Sequence, residues 1–214
     1  MFSCVKGVLL QGFIIKTHRV RDEDLIVSII TPQSLEVLYR FYGARHSVIN
    51  LGNRIDFEIE SSIKTDVHRL RDVIHLGFSW MRDTRRLSLW QQFIALFYHH
   101  LQNTDEIDEF YYELLNEAAL QWDIQSPKRL AIESYVKLLT HEGRLHTEML
   151  CFYCDIKVEN KISFLRAYLP AHEKCSHTLG INQEGVEELF RNFSTLFLSD
   201  KEVDRLWYVL LKGL

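Results

Sequence analysis

The chain has 214 residues, of which 47% are hydrophobic and 25% charged, with a formal net charge of −4. That suffices for one sizeable core or two small ones, and nine Gly, three Pro and no low-complexity stretch exclude a linker-rich or disordered chain. There is no secretory signal at the amino terminus and no apolar run near the roughly 18 residues of a membrane span, and four Cys are too few for a disulfide framework at this length, so a cytoplasmic protein is expected.

The charge is unevenly spread. Residues 1–86 carry 13 Lys and Arg against 10 Asp and Glu, whereas residues 87–214 carry 12 against 19. A basic surface attracts phosphate within a Debye length whatever the far side carries, so the first third is the expected binding region.

Short β-branched runs open the chain at Gly12–Thr17 and Asp24–Thr31, separated by the polar turn Arg21-Asp22-Glu23. Leu35, Val37, Tyr39 and Phe41 then alternate with Glu36, Leu38, Arg40 and Tyr42. Ile55, Phe57 and Ile59 alternate with Asp56, Glu58 and Glu60. Both rows have a strand's period of two. Gly43 and Gly52 punctuate the links, and residues 61–76 supply a last strand and turn. Four or five short strands with tight connections predict a small barrel.

From about Met81 the period becomes helical. Leu87, Trp90, Ile94, Phe97 and Leu101 form one apolar stripe, and Ile107, Phe110, Leu114, Leu115 and Ala118 a second. Trp90, Phe93, Phe97 and Tyr98 read as core at this spacing rather than as a binding stripe. Ser126-Pro127 starts a third helix, which Gly143 stops, and Ser199-Asp200-Lys201-Glu202 has the form of a capping box opening a last helix that ends at Gly213. The expectation is an α+β protein: a barrel domain over 1–80 and a helical domain over 81–214, without solenoid repeats.

Within the helical part lies Cys151-Phe152-Tyr153-Cys154, followed after 17 residues by His172-Glu173-Lys174-Cys175. Two such knuckles each turn a pair of soft ligands inward, the usual arrangement of a structural tetrahedral zinc site. Cys151, Cys154, His172 and Cys175 are the expected ligands of a hairpin over 151–175, with His177 competing for the place of His172. Buried thiols at accidental spacing are the plainer alternative. A closed four-ligand site would be structural, because it leaves no position for substrate.

Catalytic patterns do not emerge. There is no phosphate-binding Gly-rich loop and no G-x-S-x-G, and His99-His100 lies in an apolar helix without a metalloprotease pattern. Asp105-Glu106 and Asp108-Glu109 sit at a helix start, where the helix dipole accounts for them. No enzyme is expected.

The segments Gly12–Thr17, Asp24–Val27, Thr31-Pro32 and Tyr42-Gly43-Ala44-Arg45, in that order, resemble the amino-terminal signature of the RecO family of recombination mediators. Ile132–Leu139 leading through Gly143 into Cys151-x-x-Cys154 is similar to that family's approach to its zinc knuckle. The resemblance spans residues 12 to about 180 and implies an OB-fold barrel, a helical domain and an inserted zinc-binding knuckle. It also implies a protein that binds single- and double-stranded DNA, anneals strands coated by single-strand binding protein, and works with RecR to load RecA in recombinational repair. Two departures are visible: His172 stands where many relatives have Cys, and the stretch after Arg45 is shorter and less basic than usual, which predicts weaker DNA binding.

Barrels of this kind bind single strands where cations meet phosphates and aromatic rings stack on bases. The expected contacts are Lys16, Arg19 and Arg21 on the first loop, Arg40, Tyr42 and Arg45 on the third strand and its turn, and Arg54 after Gly52. Arg82, Arg85 and Arg86 form a second cluster that either extends the DNA path or solvates a helix. Two other function classes stay open: a scaffold that bridges repair proteins with little DNA binding of its own, and a nucleic-acid-modifying enzyme.

Overall fold

The structure, a computed structural model, describes residues 9–61, 67–102, 104 and 106–214. Three sequence readings lie wholly or partly outside the described residues: the amino terminus, the stretch 62–66 before the last barrel strand, and Asp105 of the carboxylate cluster.

Strands β1 (Leu10–Arg21), β2 (Asp24–Ile30), β3 (Leu35–Arg40), β4 (Arg54–Glu60) and β5 (Arg69–His75) form a closed barrel in the order β1-β2-β3-β5-β4. All pairings are antiparallel except β3 with β5, which is parallel at Tyr39 and Arg69, and β4 returns to β1. Closure leaves no strand edge to be masked. The barrel is OB-fold-like, and its interior is filled by Ile14, Leu25, Val27, Ile29, Leu38, Ile49, Ile55, Phe57 and Leu70. Gly12 makes the tight β1–β2 approach possible, since a Cβ there would lie 2.5 Å from Ile29 Cγ2 and 2.6 Å from the Ile30 carbonyl oxygen.

On β3 the period of two holds, but Leu38 is the residue that enters the core. Val37 and Phe41 are left about half-exposed on the outer wall.

Helix α1 (Thr84–Leu101) begins where Asp83 accepts hydrogen bonds from the backbone amides of Arg85 and Arg86. Of the stripe the spacing predicted, Trp90, Ile94, Phe97 and Leu101 are buried, joined by Phe93, whereas Leu87 and Tyr98 are only half-buried. Trp90 Nε1 donates to the Gly52 carbonyl at 2.9 Å, and Gly52 has φ +88°, a conformation that favours glycine. Helix α2 (Glu109–Gln121) brings Tyr112, whose hydroxyl donates to Gln11 Oε1 at 2.6 Å and whose ring meets Phe13.

Helix α3 (Pro127–His141) starts with Pro127 at its first position and is followed by Gly143 at φ +65°. The knuckle comes next, with a small sheet, β7-β6-β8, built from β6 (Lys161–Phe164), β7 (Pro170–Ala171) and β8 (Ile181–Asn182). Strands of two to four residues are too short to register as a period, which is why only helices were expected here. Helix α4 (Glu173–Ser176) carries Cys175, and α5 (Gln183–Asn192) and α6 (Asp200–Leu210) complete the chain. The capping box at α6 is formed: Ser199 donates through both its amide and its hydroxyl to Glu202 Oε2.

By contacts the chain divides into two compact units, Met1–Ala119 and Leu120–Leu214. The change from strands to helices near residue 80 falls inside the first of them. Among the described residues no helix is long and apolar enough to cross a membrane.

Candidate functional site

Two constellations carry chemistry, one in each unit. In the second unit the Cys151–Cys154 turn is closed by hydrogen bonds from the Asp155 amide to the Cys151 carbonyl and from the Cys151 amide to the Ile156 carbonyl, both 2.9 Å. The Cys175 amide donates to the His172 carbonyl at 3.0 Å, tightening the second turn. The Phe152 amide reaches the Pro170 carbonyl at 2.9 Å, tying the two halves together.

The outcome is a set of four ligand atoms, from Cys151, Cys154, His172 and Cys175, all within 4.8 Å of one another. A tetrahedron with Zn–S bonds of ~2.3 Å has edges near ~3.8 Å, so the set matches a zinc site with little adjustment. His172 Nδ1 lies 3.4 Å from Cys154 Sγ and 3.9 Å from Cys175 Sγ, while its Nε2 lies 3.2 Å from the Lys157 carbonyl oxygen. Donation from Nε2 to that carbonyl would leave the Nδ1 lone pair facing the thiols, the outer-shell arrangement that orients a metal-binding imidazole. His177 is not among the four; it caps α4 in a left-handed conformation.

Burial pushes the Cys151 thiol up, but hydrogen bonds from the backbone at His172, Tyr153 and Cys154 and from the Cys154 side chain outweigh it and bring it down to about 6. Burial and the neighbouring Cys151 and Cys154 raise the Cys175 thiol to about 11. Three thiols this close oppose each other's ionisation, and a dication is what lets them deprotonate together. The donor set fits structural zinc.

The second constellation is on the barrel. Asp24, at the start of β2, accepts the Tyr39 hydroxyl at 2.5 Å on one oxygen and the Tyr42 amide at 2.8 Å on the other. These bonds hold its carboxyl below the usual carboxylate range, with Arg21 assisting. The Ala44 amide donates to the Glu23 carbonyl at 2.9 Å, and Arg45 pairs with the Glu23 carboxylate. The β1–β2 turn and the turn after β3 are thereby joined into one corner. Tyr42, with φ 51°, stands 58% exposed there, and the Arg45 guanidinium lies 5.2 Å from the centre of its ring. Arg19 and Arg21 are exposed among the last residues of β1, paired with Leu25 and Asp24 of β2, rather than on a loop.

The other expected contacts are engaged inside the unit. Lys16 is half-buried with Nζ 5.2 Å from the Tyr98 ring centre. Arg40 turns into the barrel and donates to the Leu70 carbonyl at 2.9 Å. Arg54 donates to Asn116 Oδ1 at 2.7 Å and lies 4.7 Å from the Phe78 ring centre. Of the Arg82, Arg85 and Arg86 cluster, Arg86 pairs with Asp83 at 3.8 Å.

The outer wall also sets Arg21 beside residues that the sequence did not single out as contacts. Val20, Arg21, Tyr39, Phe41, Val67 and Arg69 line a surface cleft of about 390 Å³. Tyr39 and Phe41 meet edge to face at 4.8 Å, and the Arg69 guanidinium lies 5.2 Å from the Phe41 ring centre. An apolar row on an alternating strand reads equally well as core, so only the position of Leu38 shows that this row faces solvent.

The first unit thus presents a closed OB-fold-like barrel with an exposed cationic and aromatic corner. A family model described as the RecO N terminal matches residues 10–81, the barrel and the turn after it, which is about a third of the chain. The barrel is thus similar to the amino-terminal domain of RecO proteins. No curated protein matches the chain.

Proposed function

We propose that this protein is a recombination mediator that binds single- and double-stranded DNA through its barrel and anneals complementary strands. By the same reading it helps load RecA, with RecR, onto strands coated by single-strand binding protein. The observation that carries it is the joined corner of the barrel, where Arg19, Arg21, Tyr42 and Arg45 are exposed together on a domain similar to the RecO amino terminus. Exposed cations beside an exposed ring suit a flexible strand, with phosphates meeting guanidiniums and bases meeting the ring. Arg40 and Arg54 support the barrel rather than the ligand, because both are half-buried and each donates through Nη1 within its own unit, to the Leu70 carbonyl and to Asn116. Zinc on Cys151, Cys154, His172 and Cys175 acts as a structural clamp on the hairpin.

The test is a strand-annealing assay on protein-coated complementary strands, alongside direct binding of single-stranded oligonucleotides at low salt. The wild type is expected to bind and anneal, and a double reversal, Arg21→Glu with Arg45→Glu, to lose most of both while remaining folded. Absence of DNA binding at low salt would sink this reading and favour a scaffold that bridges repair proteins.

A further inference from the structure

Phe41 and Tyr39 pose a physical question, since apolar rings are left on the outside of a barrel whose interior is already full. Phe41 is 46% exposed, yet it is not a loose side chain: Tyr39 packs against it edge-on, and Arg69 covers it from the neighbouring strand β5. Tyr39 is itself locked, because its hydroxyl donates to Asp24, which also holds the Tyr42 amide. The outcome is a preorganised aromatic wall with Arg21 and Arg69 among its lining residues. The cleft, about 390 Å³, lies at the small end of the ~300–1,000 Å³ typical of ligand pockets.

The local charge indicates the chemistry of the occupant. Arg69 and Arg71 reach Glu60 only at 3.7 Å and 3.6 Å, long exposed pairs that a phosphate can replace at little cost. Asp24 has both carboxylate oxygens engaged by Tyr39 and Tyr42. A flat apolar ring carrying an anionic group fits this cleft.

Resting on the function proposed above, we infer that this cleft takes one unpaired nucleobase, stacked on Phe41 with its edge towards Tyr39, and with Arg21 and Arg69 on the flanking phosphates. In a duplex the base faces are covered by their neighbours, so the cleft serves single strands only. The corner cations Arg19 and Arg45 serve both forms. Selectivity for single strands and affinity for DNA in general are therefore carried by different residues, and Asp24 is a positioning residue for the first.

The experiment compares wild type, Phe41→Ala and Phe41→Trp for binding an oligothymidine and a duplex of equal length. Loss of one stacked base predicts that Phe41→Ala weakens single-strand binding roughly 5- to 100-fold and leaves duplex binding within about twofold, with the salt slope unchanged. Phe41→Trp is expected to keep single-strand affinity and to provide a reporter, because all four native Trp side chains are buried. Its emission should be quenched by oligothymidine and not by the duplex. Equal single-strand affinity in Phe41→Ala, equal loss for both DNA forms, or quenching by a polyglutamate peptide with none by oligothymidine would each overturn the cleft assignment while leaving the corner's role intact. Failure of the wild type to bind either DNA overturns both.

Discussion

Arg54 and Arg45 are both arginines near barrel turns, and the sequence ranks them alike. Their surroundings separate them. Arg45 is 63% exposed at its side chain and shares a surface carboxylate, whereas Arg54 is half-buried, donates to Asn116 at 2.7 Å and stacks on Phe78. Arg54→Ala therefore leaves Asn116 without that donor and removes a cation from a ring face, for a cost of about 1–3 kcal/mol. Urea unfolding should show a lower midpoint for this variant, with DNA affinity per folded molecule unchanged. A variant with wild-type stability and weakened DNA binding would instead place Arg54 in the interface. Arg40 belongs with Arg54, since it binds the Leu70 carbonyl from inside the barrel.

At the scale of elements, the helix starts were the most legible features, because capping is local chemistry. Pro127 and the Ser199–Glu202 box lie where the sequence put them. Burial raises the Glu202 carboxyl, but hydrogen bonds from Ser199 and Asn182 outweigh it and hold it at about 2, against an ordinary value of 4.5. A carboxyl depressed in the folded state stabilises at pH above its unfolded value, and that contribution fades as pH falls from about 4.5 towards 2. Thermal unfolding of Glu202→Gln against wild type should therefore show its largest Tm difference near neutrality and almost none near pH 2. A difference constant with pH would mean that the ionised form is not what caps α6.

The knuckle was legible as spacing, while only the folded geometry brings one of the two candidate histidines to the thiols. His172 joins the three thiols and His177 does not. Purified protein should contain close to one equivalent of zinc, and chelation or Cys154→Ser should lower the thermal stability of the second unit. Metal-free protein with undiminished stability would return the hairpin to three thiols packed by their neighbours.

For the molecule as a whole, the net charge of −4 conceals an excess of cations over residues 1–86, 13 Lys and Arg against 10 Asp and Glu. If Arg19, Arg21, Arg45 and Arg69 each meet a phosphate, single-strand affinity should fall with a log–log salt slope of about −3, the whole-molecule signature of the proposed binding. Elements with a repeating local signature were readable in advance: the alternation of β3 and β4, most of the stripe of α1, the Pro127 start of α3, the cap of α6, and the paired knuckles. Those features depend on residues a few positions apart, so the sequence by itself determined them. Which face of β3 is the core depended on the barrel closing through β5, and which arginines remain available to a ligand depended on partners as distant as the 62 positions between Arg54 and Asn116. Only the tertiary structure decided these, because burial and hydrogen-bond satisfaction are properties of neighbours brought together by folding.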